Sequence, residues 1–66
     1  MVDVLIRNEG SVVMVIPQTE EAKDWVEEHV MLESWQWIGG GFAVGPRYLE
    51  GLLEGMREDA LEFEFV

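Results

Sequence analysis

The sequence contains no cysteine, which excludes disulfides and thiolate metal sites and leaves packing or self-association as the source of stability. Basic residues are scarce: four Lys and Arg stand against fourteen Asp and Glu, a formal net charge of −10. Nucleic acid and anionic lipid repel such a chain, so direct contact with DNA, RNA or a membrane is not expected and basic partners are favoured. Histidine occurs once, at His29, and neither a His-x-x-x-His nor an Asp-x-Asp spacing is present, so no metal is expected. The only glycine run, Gly39 to Gly41, is not followed by the Lys and Ser or Thr that complete a phosphate loop. Adjacent carboxylates such as Glu27 and Glu28 belong to a solvated face and not to the opposed pair of a glycosidase. With no nucleophile constellation and no cofactor motif, an enzyme is not expected. The longest apolar run, Val12 to Ile16, is far too short to cross a bilayer, and Met1 to Arg7 alternates like a strand where a basic leader would stand. A cytoplasmic location is the expectation.

What is present fits one small fold. At 66 residues the chain reads as a single domain over 1–66 with no linker, near the lower limit for a core without a staple. Its centre is Ser34 to Tyr48. Trp35 and Trp37 share one face of a strand, Gly39 to Gly41 supply a turn, Phe42 to Val44 return, and Gly45 with Pro46 opens a helix. Before it, Val2, Val4 and Ile6 form the apolar face of a first strand. Asn8 to Gly10 read as a three-residue hairpin loop with Gly10 left-handed, and Ser11 to Ile16 is apolar on both faces, as a central strand is. Pro17 ends it.

Thr19 is the expected N-cap of a helix whose buried stripe is Ala22, Trp25, Val26, His29 and Val30. Its opposite face carries Glu20, Asp24, Glu27 and Glu28, with Lys23 within helical reach of Glu20 or Glu27. The second helix buries Leu49, Leu52, Leu53 and Met56 and presents Glu50, Glu54 and Glu58 as an i, i+4, i+8 row. Gly51 and Gly55 each weaken a helix by about 0.8–1 kcal/mol, which points to a backbone packed closely on that flank. A last strand turns Leu61, Phe63 and Phe65 inward. The order is ββαββαβ, an α+β fold with one mainly antiparallel five-stranded sheet and two helices packed on one face. Trp25, Trp37, Leu52, Leu53, Met56 and Phe63 are expected to meet in its core.

Acids also stand where they cost stability, because Glu27, Glu28, Glu58 and Asp59 lie at helix C-termini, where the macrodipole favours cations. The stretches Gly10-Ser11-Val12-Val13, Pro17, Trp25-Val26, Trp37, Gly39-Gly40, Pro46-Arg47-Tyr48 and Gly55-Met56 resemble the pattern of small uncharacterised proteins carried by proteobacteria, their phages and plasmids. In size, acidity and lack of catalytic motifs the chain is also similar to phage anti-CRISPR proteins of the type I class, several of which are DNA mimics. The resemblance carries no functional residue across. What it implies is a non-enzymatic inhibitor acting in the cytoplasm of a bacterial host on a basic, nucleic-acid-binding protein or complex. The expected binding residues are Glu20, Asp24, Glu27, Glu28, Glu50, Glu54 and Glu58, and the expected state is a monomer or weak homodimer. The competing expectation is a structural or self-associating phage or host protein whose acidity serves solubility.

Overall fold

The computed structural model describes residues 1–30 and 37–66. Its elements are β1 (Val4–Asn8), β2 (Val13–Pro17), α1 (Glu20–His29), β3 (Trp37–Ile38), β4 (Gly41–Val44), α2 (Pro46–Glu58) and β5 (Phe63–Phe65). The strands lie in the order β3-β4-β2-β1-β5. The fold is α+β, with two helices against an open mixed sheet whose body is the four strands β4-β2-β1-β5.

Two expectations about the sheet need correction. β3 contributes only two residues at one edge, so a sheet of five full strands does not form among the described residues. β5 pairs parallel with β1, whereas β1/β2, β2/β4 and β3/β4 are antiparallel. The reason is α2, which carries the chain back across the sheet, so the strands on either side of it run the same way. Since β4 already runs parallel to β1, β5 must as well.

The hairpins follow from their turn residues. Asn8 pairs with Val13, so the first loop is Glu9 to Val12, one residue longer than expected and set one residue later. Gly10 sits at φ 94°, where its amide takes a 2.8 Å hydrogen bond to the Asn8 Oδ1 acceptor. In the second hairpin Gly39 and Gly40 take φ of 56° and 86°, the two positive angles a two-residue loop between twisted strands demands. Gly41 already belongs to β4. Trp35 lies outside the described residues.

Thr19 caps α1 as expected, its Oγ1 accepting from the Ala22 amide at 3.1 Å. Pro46 opens α2, and Gly45 caps it without a side-chain bond. α2 ends at Glu58 with Asp59 as its C-cap, as expected, and the left-handed residue that follows is Ala60 at φ 59°, where glycine is usual. Leu61 N–H donates to the Met56 carbonyl at 2.8 Å and Ala60 N–H to that of Arg57 at 3.2 Å. This pattern turns the chain into β5 and buries Leu61 beside Met56.

Alternate strand residues Val4, Ile6, Val13, Val15, Phe42 and Val44 join Ala22, Trp25 and Val26 of α1 and Leu49, Leu52 and Met56 of α2 in one buried cluster. Both helices therefore cover the same side of the sheet. Of the expected core, Trp25, Leu52 and Met56 are buried, while Trp37, Leu53 and Phe63 are only partly covered at its margin. Phe65, expected inward, is 58% exposed, since among the described residues β5 is an edge strand with β1 as its one neighbour.

Asp3 fastens three parts of the chain together. Its Oδ1 accepts from Thr19 Oγ1 at 2.9 Å and its Oδ2 from the Glu62 amide at 3.0 Å. The Glu62 amide first, and the Thr19 hydroxyl second, hold the Asp3 carboxyl below its ordinary value. A carboxyl with a lowered folded pKa contributes its full stability above the unfolded value of about 3.9 and loses it as pH falls through the folded one. Melting temperature should thus fall less steeply with acidification for Asp3→Asn than for the parent chain. Two superimposable acid limbs would show that Asp3 has no such role.

Candidate functional site

Eight of the fourteen acidic residues lie in the two helices. All seven expected positions, Glu20, Asp24, Glu27, Glu28, Glu50, Glu54 and Glu58, are exposed. This follows from periodicity: with Ala22, Trp25, Val26, Leu49, Leu52 and Met56 facing the sheet, residues half a turn away have only solvent. Among the described residues the ion pairs are Arg7–Glu9 and Met1 N-terminus–Glu62, and His29 Nε2 lies near Asp59. None of the seven acids joins them, and the expected partnership of Lys23 with Glu20 or Glu27 is not formed there.

The acids of α1 divide between two flanks. Asp24 and Glu28, with Glu21 one turn before Asp24, line an open depression of about 490 Å³ between α1 and the end of α2, closed on the other side by Asp59. Glu20 and Glu27 fall on the far flank beside Lys23. Glu50, Glu54 and Glu58 form a separate row along α2. Glu21 and Asp59 are therefore members of the acidic surface that helical spacing alone did not single out. Asp59 could not be placed without knowing how α1 meets α2. No group of three or more His, Asp or Glu among the described residues is arranged to hold a metal ion, and no described helix is long and apolar enough to cross a membrane.

Trp25 is the joint between the helices. Its indole Nε1–H donates to Asp59 Oδ2 at 2.5 Å, which explains an acid at the C-cap of α2, where the macrodipole alone disfavours one. The His29 ring stacks on the same indole, with centroids 4.4 Å apart and planes at 15°. His29 Nδ1 lies 2.9 Å from the Trp25 carbonyl. A carbonyl only accepts, so Nδ1 carries the proton, and Nε2 is left facing Asp59 Oδ2 at 3.6 Å. His29 was expected on the buried stripe. It is instead exposed at the edge of that stripe, because the helix ends there and the indole covers only one side of the ring.

The two helix glycines serve different ends. A Cβ on Gly55 would sit 2.9 Å from Trp25 Cζ2, so the close neighbour is an indole and not the expected backbone, while Gly51 has open space around it. Gly51 forms part of a second groove, of about 350 Å³, shared with Trp25, Arg47 and Tyr48. Gly51→Ala is expected to raise stability by about 0.8–1 kcal/mol through helix propensity. Gly55→Ala is expected to lower it, since overpacking against an anchored ring costs about 1–3 kcal/mol. Urea midpoints that shift in the same direction would show that Trp25 is not held against α2.

Comparison with known protein families, with curated proteins and with solved structures found no match.

Proposed function

We propose that this protein is a non-enzymatic inhibitor that occupies a nucleic-acid-binding protein by offering carboxylates where phosphates would lie. Among such targets, a type I CRISPR effector complex in the cytoplasm of a bacterial host is the one that the resemblance to phage inhibitors favours. The observation that carries the reading is the set of exposed acids on both helices, none of them ion-paired among the described residues. Glu27, Glu28 and Glu58 stand at helix C-termini, where each costs about 0.3–1 kcal/mol, and unlike Asp59 they make no side-chain hydrogen bond or ion pair among the described residues.

Spacing supports the same reading. An i, i+4 row such as Glu50, Glu54 and Glu58 presents one carboxylate per about 6 Å of helix, within a factor of about two of the phosphates of one DNA strand. One DNA strand carries a phosphate every 3.4 Å or so. The two charge densities are close enough for a groove lined with Lys and Arg to accept either.

Competition tests the proposal. With a purified type I effector complex bound to this protein, added target DNA should displace it, and pre-bound protein should weaken DNA binding in proportion to its concentration. A ternary complex with undiminished DNA affinity, or no binding at low salt, would overturn the assignment and leave the acidity as a device for solubility.

A further inference from the structure

Two depressions adjoin between the helices. The acidic one, of about 490 Å³, is lined by Glu21, Asp24 and Glu28 of α1 and by Asp59 at the end of α2. The other, of about 350 Å³, is an apolar groove that follows α2 past Arg47, Tyr48, Gly51 and Gly55. Trp25 and His29 line both, so their stacked rings are the divide that the two depressions share.

Within the apolar groove Gly51 has no packing reason to be glycine. Nothing lies within 4 Å of where its Cβ would stand, its φ is not left-handed, and a glycine inside a helix costs about 0.8–1 kcal/mol. The missing side chain leaves helix backbone bare beside Tyr48, whose ring is 52% exposed. Another chain can therefore approach closely there.

We propose that the two depressions together take one extended segment of a basic partner, with Arg or Lys in the acidic part and a large apolar residue against Tyr48 and Gly51. Charge selects the occupant and its direction. Glu21, Asp24 and Glu28 have no ion pair among the described residues, while Arg47 lines only the apolar groove. A cationic end is thus drawn into one depression and turned away from the other. A second copy of this chain, itself at −10, is repelled by the same acids. Gly51 and Asp59 are about 12 Å apart along α2, a distance that extended chain covers in about four residues, so the segment has the pattern cation-x-x-x-apolar. This docking deepens the reading of the helix acids as the face that meets a basic protein, and rests on it. What it adds is an apolar anchor, which salt does not screen as it screens the ionic contacts.

The test is an amide NMR titration of the whole chain, in about 0.15 M salt, with three blocked hexapeptides: Arg-Arg-Gly-Gly-Leu-Leu, Arg-Arg-Gly-Gly-Ser-Ser and Ser-Ser-Gly-Gly-Leu-Leu. The first should bind with a dissociation constant below about 1 mM and about fivefold or more tighter than either of the others. Its shifts should include the Trp25 indole N–H, Tyr48 and Gly51 together with Asp24 and Glu28. Gly51→Leu fills the groove while improving helix propensity, and should lower affinity for the first peptide to that for the second. Equal affinities of the first two peptides for the parent chain, shifts that avoid Tyr48 and Gly51, or a folded Gly51→Leu variant that keeps the preference would overturn the proposal. The peptide comparison needs no variant to fold. It also contains no nucleic-acid-binding complex, so its failure leaves the DNA competition untouched, and failure of that competition leaves the peptide result standing.

Discussion

Phe42→Ala is expected to remove about a third or more of the folding stability of the chain. Phe42 is completely buried, sits opposite Val15 across the β2/β4 pair, and meets the Trp37 ring edge-on with centroids 5.4 Å apart. Removing a buried phenyl costs about 3–5 kcal/mol, whereas a domain of this length has about 3–10 kcal/mol in total. Trp37→Ala should cost less. Its ring is only partly covered, and it packs onto the cluster from the short edge strand β3. Thermal melts of the two variants give the ranking directly. A larger loss for Trp37→Ala would put the centre of the core at the β3 edge and contradict the burial described here.

By pattern Trp37 was expected in the core and Phe42 was not set above it, and the difference shows what periodicity can carry. Helix stripes are local. Ala22, Trp25 and Val26, and Leu49, Leu52 and Met56, were legible because a 3.6-residue repeat and a cap such as Thr19 or Pro46 are written within a dozen residues. The positive angles at Gly10, Gly39 and Gly40 were legible for the same reason. Burial along a strand, however, depends on which strands flank it. Alternation marks Phe42 and Trp37 alike, but β4 lies between two strands and β3 at the edge. Phe63 and Phe65 were likewise equal in pattern, yet among the described residues β5 pairs with β1 alone and Phe65 is exposed.

The candidate site follows the same division. Exposure of Glu20, Asp24, Glu27, Glu28, Glu50, Glu54 and Glu58 is a consequence of helical phase. The contact of Trp25 with both Gly55 and Asp59 is long-range and could not be deduced from either helix alone. It changes the meaning of two residues. Gly55 becomes a seat for an indole, and Asp59 becomes a structural acceptor that should be left intact when the acidic surface is dissected.

The exposed acids give the largest expected effect on binding. Reversing Glu27, Glu28 and Asp24 together to Lys should reduce affinity for a basic target by roughly a hundredfold or more. Each exposed pair is worth up to about 1 kcal/mol, and reversal adds repulsion to lost attraction. A parallel set at Glu50, Glu54 and Glu58 should behave alike if both helices enter the groove, and only one set should matter if one helix does. Single reversals should change affinity by less than about tenfold. The fold should tolerate these changes, because lysines at 27, 28 and 58 suit the negative end of a helix, so melting temperatures should match the parent chain or exceed it. Added salt should weaken the parent complex steeply, since exposed charges are screened over about 10 Å at 0.1 M. Glu64→Lys on the opposite face is the control; Asp3 is unsuitable, because it binds Thr19 and Glu62. Full binding by both triple variants, with loss only at Glu64→Lys, would move the interface to the sheet and remove the helices from the mechanism.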